Sequence, residues 1–320
     1  MSKSEKIWIA VASVLVFLGL ITSVVGLVLT DWDLSLLNTS KYETVTHEIS
    51  DVFENISIDT DTANIVFLPS KDDSCKIICY QNEKVKYSVN VTQNTLTVKE
   101  NDERKWYDHI GITFGSPKIT VYLPKTEYGS LTVKESTGAI NIPKDFTFKS
   151  IDITLSTGDI KSFASVTEHI KIKGSTGRVA LESIKAKALD ISVSTGNVSV
   201  KDSKFSEDVK IRVSTGRTEL SNVSCKDLIS NGDTGDITLN SVIASDKIFI
   251  ERSTGDVKLN RCDASALDIG TDTGDVSGHL LSGKIFMAES DTGDVKVPMP
   301  SGENICKITS DTGDIKFTIE

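Results

Sequence analysis

The sequence predicts an all-β fold: a parallel β-solenoid of about ten 19–20-residue rungs, preceded by one transmembrane helix. Three observations predict it. The triplet Ser/Asp-Thr-Gly occurs ten times, with steps of 19 or 20 residues. Apolar residues alternate with polar ones on both sides of every copy. Ile7 to Thr30 is a run of 24 residues without a charge.

The apolar run comes first. At ~1.5 Å per residue a helix of this length crosses a ~30 Å hydrocarbon layer with some tilt. Residues 1–6 form a short tail in which Lys3 and Lys6 favour a cytoplasmic N-terminus, so that residues 31–320 lie outside the cytoplasm as part of a single-pass membrane protein. Trp8 and Trp32 stand near the two ends, where indoles prefer the interface. The rival is a cleaved signal peptide, whose apolar core is shorter and ends at a small-residue site that does not stand out here. The reading is a retained anchor over 7–30, then a polar stalk over 31–50.

The turn glycines are Gly138, Gly158, Gly177, Gly196, Gly216, Gly235, Gly255, Gly274, Gly293 and Gly313. Seven residues before them stand only apolar side chains, from Leu131 and Ile151 to Phe286 and Cys306. Five before and two after, the positions are also apolar with two exceptions, Ser230 and Thr218. Each unit of 129–320 thus reads as strand, tight Thr-Gly turn, strand, then a looser polar corner such as 201–207. An antiparallel meander would need a second layer to cover its apolar face, and no segment is left to supply one. A solenoid buries the same residues in its own coil. It stacks identical turns ~4.8 Å apart, with glycine supplying positive φ and the threonines able to hydrogen-bond into a ladder.

Residues 51–128 are rich in alternating segments but off the period, and read as irregular N-terminal rungs with a cap. Asp61-Thr62-Ala63-Asn64 resembles a decayed turn, with Ala63 in the glycine position. The chain stops at Glu320, with Phe317 and Ile319 still alternating. An uncapped last rung is protected by its charges (Asp311, Asp314, Lys316, Glu320) or pairs with another chain, giving weak end-to-end self-association.

Net charge is −10, which disfavours nucleic acid as a partner. Asp-Thr-Gly is the aspartic-protease triplet, but serine replaces the aspartate in six copies, as a structural repeat allows and a catalytic carboxylate does not. Paired carboxylates flank four turns: Asp233 and Asp236, Asp272 and Asp275, Asp291 and Asp294, Asp311 and Asp314. Stacked in register they repel, and Ca²⁺ would relieve this; solvated aspartates making turn hydrogen bonds are the simpler account. No cofactor motif and no His or Cys metal pattern occurs, and the five cysteines read as small buried hydrophobes. Trp106 and Tyr107, beside Arg104 and Lys105, form either a contact patch or a loop covering the end of the core.

The short anchor, the KITVYLP strand and the serial L-x-I-x-x-STG-D-I units resemble a bacterial family of unknown function called "putative adhesin" or β-strand-repeat domain. The resemblance covers roughly residues 50–320. It implies a non-enzymatic role at the cell envelope and supplies no ligand and no catalytic residues. The expected function is a membrane-anchored surface, adhesion or interaction module. The alternative is an envelope sensor or regulatory partner of another membrane protein.

Overall fold

Side chains two apart on a strand share a face, so the apolar columns either side of each turn must face one interior. The computed structural model, which describes residues 2–30, 32, 41–106 and 115–320, shows that interior. Leu131, Ile151, Ile170, Leu189, Val209, Leu228, Ile248 and Leu267 pair in succession through parallel strands. All eight are buried. Beyond the turns Ile140, Ile160, Val179, Val198, Thr218, Ile237, Val257 and Val276 make the second buried column. The fold is a parallel β-solenoid, and each regular rung is named below by its turn glycine.

The polar corner expected after the second strand is sharper than its sequence suggests. Six residues past the glycine the backbone turns left-handed at Ser183, Asp202, Asn222, Ser241 and Arg261, with φ between 49° and 60°. The bend makes a third side. It turns the next residues (Ile184, Ser203, Val223, Val242 and Cys262) into the core, where all five are buried.

The N-terminal strands are β1 (Tyr42–Ile49), β2 (Asn55–Thr62), β3 (Asn64–Pro69), β4 (Cys75–Asn82), β5 (Val85–Thr92), β6 (Thr95–Asp102) and β7 (Lys118–Leu123). β2 and β3 flank the decayed Ala63 turn and join the Gly138 rung in parallel. β6 and β7 join their other edges, also in parallel. β5 then runs antiparallel to β6, β4 antiparallel to β7, and β1 antiparallel to β4. Tyr42–Ile49, which composition places in the stalk, is therefore a strand. Residues 31 and 33–40 of the expected stalk lie outside the described residues.

At the other end the chain departs from sequence order. The Gly274 rung (Ala266–Thr273 and Val276–Leu280) pairs not with the Gly293 rung but with the Gly313 rung (Ile305–Thr312 and Ile315–Ile319). The Gly293 rung (Ile285–Thr292 and Val295–Lys296) lies outside it. The open end expected at Phe317 is thus occupied. Phe317 is 3% exposed and its ring centroid lies 5.8 Å from that of Phe286.

The bypass has its own anchor. Lys284, fully buried, donates from Nζ to Asp263 Oδ1 and to Ser282 Oγ, both at 2.6 Å. Asp263 Oδ1 also accepts the Ala264 N–H at 2.9 Å. A buried ammonium is tolerated only when so partnered.

The N-terminal helix α1 (Lys3–Leu29) has a capping box: Ser2 Oγ accepts from Glu5 N–H and Glu5 Oε2 accepts from Ser2 N–H. Its 27 residues are long and apolar enough to cross a membrane.

Candidate functional site

The turns form one ridge along the solenoid. Glycine is required there on two counts, as Gly216 shows. Its φ is +139°, and a Cβ on it would overlap the carbonyl oxygen of Gly196. Each turn glycine except Gly293 donates its N–H to the threonine carbonyl of the next rung in space, for example Gly216 to Thr234 and Gly235 to Thr254, both at 2.8 Å. The ladder is thus made by backbone. Among the described residues no hydrogen bond joins one turn-threonine hydroxyl to the next, and these threonines stay exposed.

The acid after the glycine has a structural partner. Asp236 Oδ1 accepts the Asp256 N–H (3.1 Å), Asp256 Oδ1 the Asp275 N–H (3.1 Å), and Asp275 Oδ1 the Asp314 N–H (2.9 Å). Asn64 and Asn197 use their amide oxygens in the same way. Any residue with a short side-chain oxygen serves, which is why Asp and Asn interchange. The acids before the turn threonine (Asp233, Asp272, Asp291, Asp311) are exposed. Among the described residues no group of three or more His, Cys, Asp or Glu side chains is placed to hold a metal ion.

Besides Lys284, two charged groups lie inside the coil among the described residues, both three residues before a turn position. Arg252 is 2% exposed and fills the space left by Gly232. Its Nη2 donates to Ser230 Oγ at 3.0 Å and reaches Thr218 Oγ1 at 3.4 Å, while Nη1 donates to the Glu251 carbonyl. The two exceptions to the apolar columns are therefore the partners of one internal guanidinium. Burial pulls its pKa down to about 10.

Glu135 is the second, 4% exposed, where the Gly138 rung meets β2. Its carboxyl accepts from Thr60 Oγ1, from the Ala63 N–H at 2.9 Å and from the Thr137 N–H at 3.3 Å. Burial outweighs these donors and pushes its pKa up to about 7. Beside it opens a groove of about 350 Å³ lined by Asp59, Asp61, Lys99, Glu100 and Asp102 among others. Glu100 closes the inner wall by accepting the Asp61 and Thr62 N–H groups.

Trp106 is 77% exposed, so it does not cover the core; Tyr107 lies outside the described residues. All five cysteines are buried and free. Cys75 and Cys79 share the inward face of β4, as their spacing requires. Burial pushes four thiols up to about 12 and Cys262 up to about 11, so they are poor nucleophiles.

A rod with repeated polar faces, a buried interior and an apolar helix before it defines a class of β-solenoid repeat proteins. The chain belongs to the Toastrack DUF4097 family, whose model matches residues 53–211 and 189–320. It is similar to the crystal structure of a "putative adhesin" from Parabacteroides merdae, at 12% identity and a TM-score of 0.49, covering 75% of this chain and 97% of that one. A "putative adhesin" from Bacteroides fragilis gives 17% identity and a TM-score of 0.41, covering 87% and 97%. A "putative lipid binding protein" from Parabacteroides distasonis gives 14% and 0.47, covering 86% and 96%. No curated protein matches the chain.

Proposed function

We propose that the protein is a non-catalytic interaction module, held at the membrane by α1 and presenting the solenoid outside the cytoplasm. The observation that supports this is the joining, in one chain, of a helix of spanning length and a rigid rod. The rod's outward positions carry Lys171, Asp190 and Lys210 on three successive rungs, with Arg212 two residues beyond Lys210 on the same strand. Lys171, Asp190 and Lys210 line an open groove of about 500 Å³ that also contains Asp208 and Lys226, and Arg212 adjoins it. Mixed charges on a flat parallel sheet suit a polar surface or protein ligand better than a small apolar molecule.

External protease on wall-stripped cells tests the placement. Degradation of residues 31–320 is expected, and full protection in cells with no other barrier would reverse the orientation. Crosslinking pull-down from intact cells, with and without residues 1–30, tests the role. Partners retained by the solenoid alone support a surface module. Partners lost with the helix favour a regulatory subunit of another membrane protein.

A further inference from the structure

Incomplete burial of the core is concentrated at the two ends of the rod. Eight hydrophobic side chains pack on the core yet stay only partly buried, and six belong to the ends. Phe286, Ala288 and Val297 lie on or next to the Gly293 rung; Val89 and Val91 lie on β5, and Ile49 on β1. Ile285 and Met287 are exposed beside them.

Backbone is unfinished at the same places. Among the described residues Ile285–Thr292 pairs only with the Gly313 rung, so its other edge is open. The Gly293 N–H and Asp294 Oδ1 have no next rung to meet. Among the described residues β5 pairs along its length only with β6, touching β4 at a single residue pair and at Gln81 Oε1, which accepts the Tyr87 N–H at 2.9 Å, and β1 pairs only with β4. Such edges are templates for another strand.

The two ends fit each other. Ile285–Thr292 and β5 are both eight residues long and lie on the same face of the coil. Their senses are opposite, so stacking one copy on another brings them together antiparallel. Aligned end to end, Phe286 meets Val91 and Ala288 meets Val89, all on the inward side. Asp291 then meets Lys86 on the outward side, both exposed. β5 carries one charge, Lys86; Ile285–Thr292 carries only Glu289 and Asp291. On the other face the signs reverse: β1 holds Glu43 and Glu48, and the strand Val295–Lys296 holds Lys296. Two copies meeting by the same end would instead set Glu289 and Asp291 against themselves.

We propose that the protein self-associates head to tail, the open edge of Ile285–Thr292 in one copy pairing antiparallel with β5 of a second copy, and Asp291 facing Lys86. The contact is heterologous, so it propagates into filaments instead of closing as a dimer. Opposite charges directly across an antiparallel pair favour it, and like charges oppose it.

The test uses the full chain in detergent micelles, whose own cysteines are buried. Copies carrying Lys86→Cys are mixed with copies carrying Asp291→Cys and oxidised. Disulfide-linked pairs are expected from the mixture and from neither variant alone. Asp291→Cys crosslinking with itself would mean a tail-to-tail contact and overturn the proposal. Sedimentation against concentration is the second reading. Lys86→Glu or Asp291→Lys should weaken association about tenfold, ~1.4 kcal/mol, and the double reversal should restore it. A strict monomer at every concentration, or association indifferent to both reversals, would also overturn it.

Discussion

The backbone N–H of Asp294 donates to Oδ1 of Asp314 at 2.8 Å. In the neighbouring rungs the bond runs the other way along the sequence: the later residue donates to the earlier acid, as Asp314 does to Asp275. The reversal is the local signature of a rung inserted ahead of its predecessor. It also fixes what a change at the end of the chain does, because the last strands in sequence are internal in space.

Phe317→Lys should act as a core mutation and not as a surface one. Phe317 fills the space above Gly278 and touches Phe286. A loss of at least about 3–5 kcal/mol, the range for truncating a buried phenylalanine, is expected because lysine also brings an unpaired ammonium into the core, and it is read as a fall in the thermal midpoint. A midpoint within a degree or two of the parent would place Phe317 at an open end after all.

At the ridge, Gly216→Val should cost more than ~1 kcal/mol, because the side chain must occupy the site of the Gly196 carbonyl at a strained φ. Gly216→Ala should also destabilise, since the overlap begins at Cβ. Chemical denaturation measures both. An alanine variant as stable as the parent would show that the turn relaxes.

The acid ladder predicts a chemical ranking at Asp256. Asn should be tolerated, because it keeps the oxygen that accepts the Asp275 N–H. Ala should lose about 0.5–1.5 kcal/mol. Equal stability of the two variants would show that the bond contributes nothing.

Glu135 gives a pH dependence of definite sign. Its pKa is about 7 in the fold against an ordinary 4.5, so the folded state prefers the protonated form. The benefit is complete below pH 4.5, falls away as the pH rises toward 7, and is absent above; the full swing is ~3 kcal/mol. Glu135→Gln should therefore raise the thermal midpoint at pH 8 and change it little at pH 4. A variant less stable than the parent at pH 8 would show that the three donors hold a settled carboxylate.

For Arg252, removing one partner should be worse than removing all. Arg252→Leu strands the buried hydroxyls of Ser230 and Thr218 and should cost several kcal/mol. Adding Ser230→Ile and Thr218→Val, which restores the apolar columns, should recover most of it. Strictly additive losses would mean that the three residues do not act as a unit.

Much of this architecture is legible in the sequence, because a 19–20-residue period and alternating columns leave few folds that bury them. The turn glycines, the inward columns and the decayed Ala63 turn follow from position alone. The internal charges do not stand out, since the column three before the glycine mixes Glu135, Leu155, Gly232, Arg252 and Ser310 and shows no apolar rule. Ser230 and Thr218 are visible as exceptions, but only the fold joins them to Arg252. Spatial order is illegible for a different reason. The rungs are nearly equivalent in turn and register, so nothing in the repeat says that Gly313 precedes Gly293. The one hint is local: Lys284, itself buried, stands between two rungs, with a half-buried partner in Asp263.

Emergence from the ribosome gives the inserted rung a further meaning. Most of the rod can assemble vectorially, each rung docking on the one before as it appears. At Leu280 that progression halts. The Gly293 rung is made next but has no place to dock until the Gly313 rung, made after it, has filled the gap. At ~5–20 residues per second the apolar stretch Ile285, Phe286, Met287 waits about a second or more, unpaired. The tip thus forms later than the rungs before it and is more exposed than they are to capture by chaperones during synthesis.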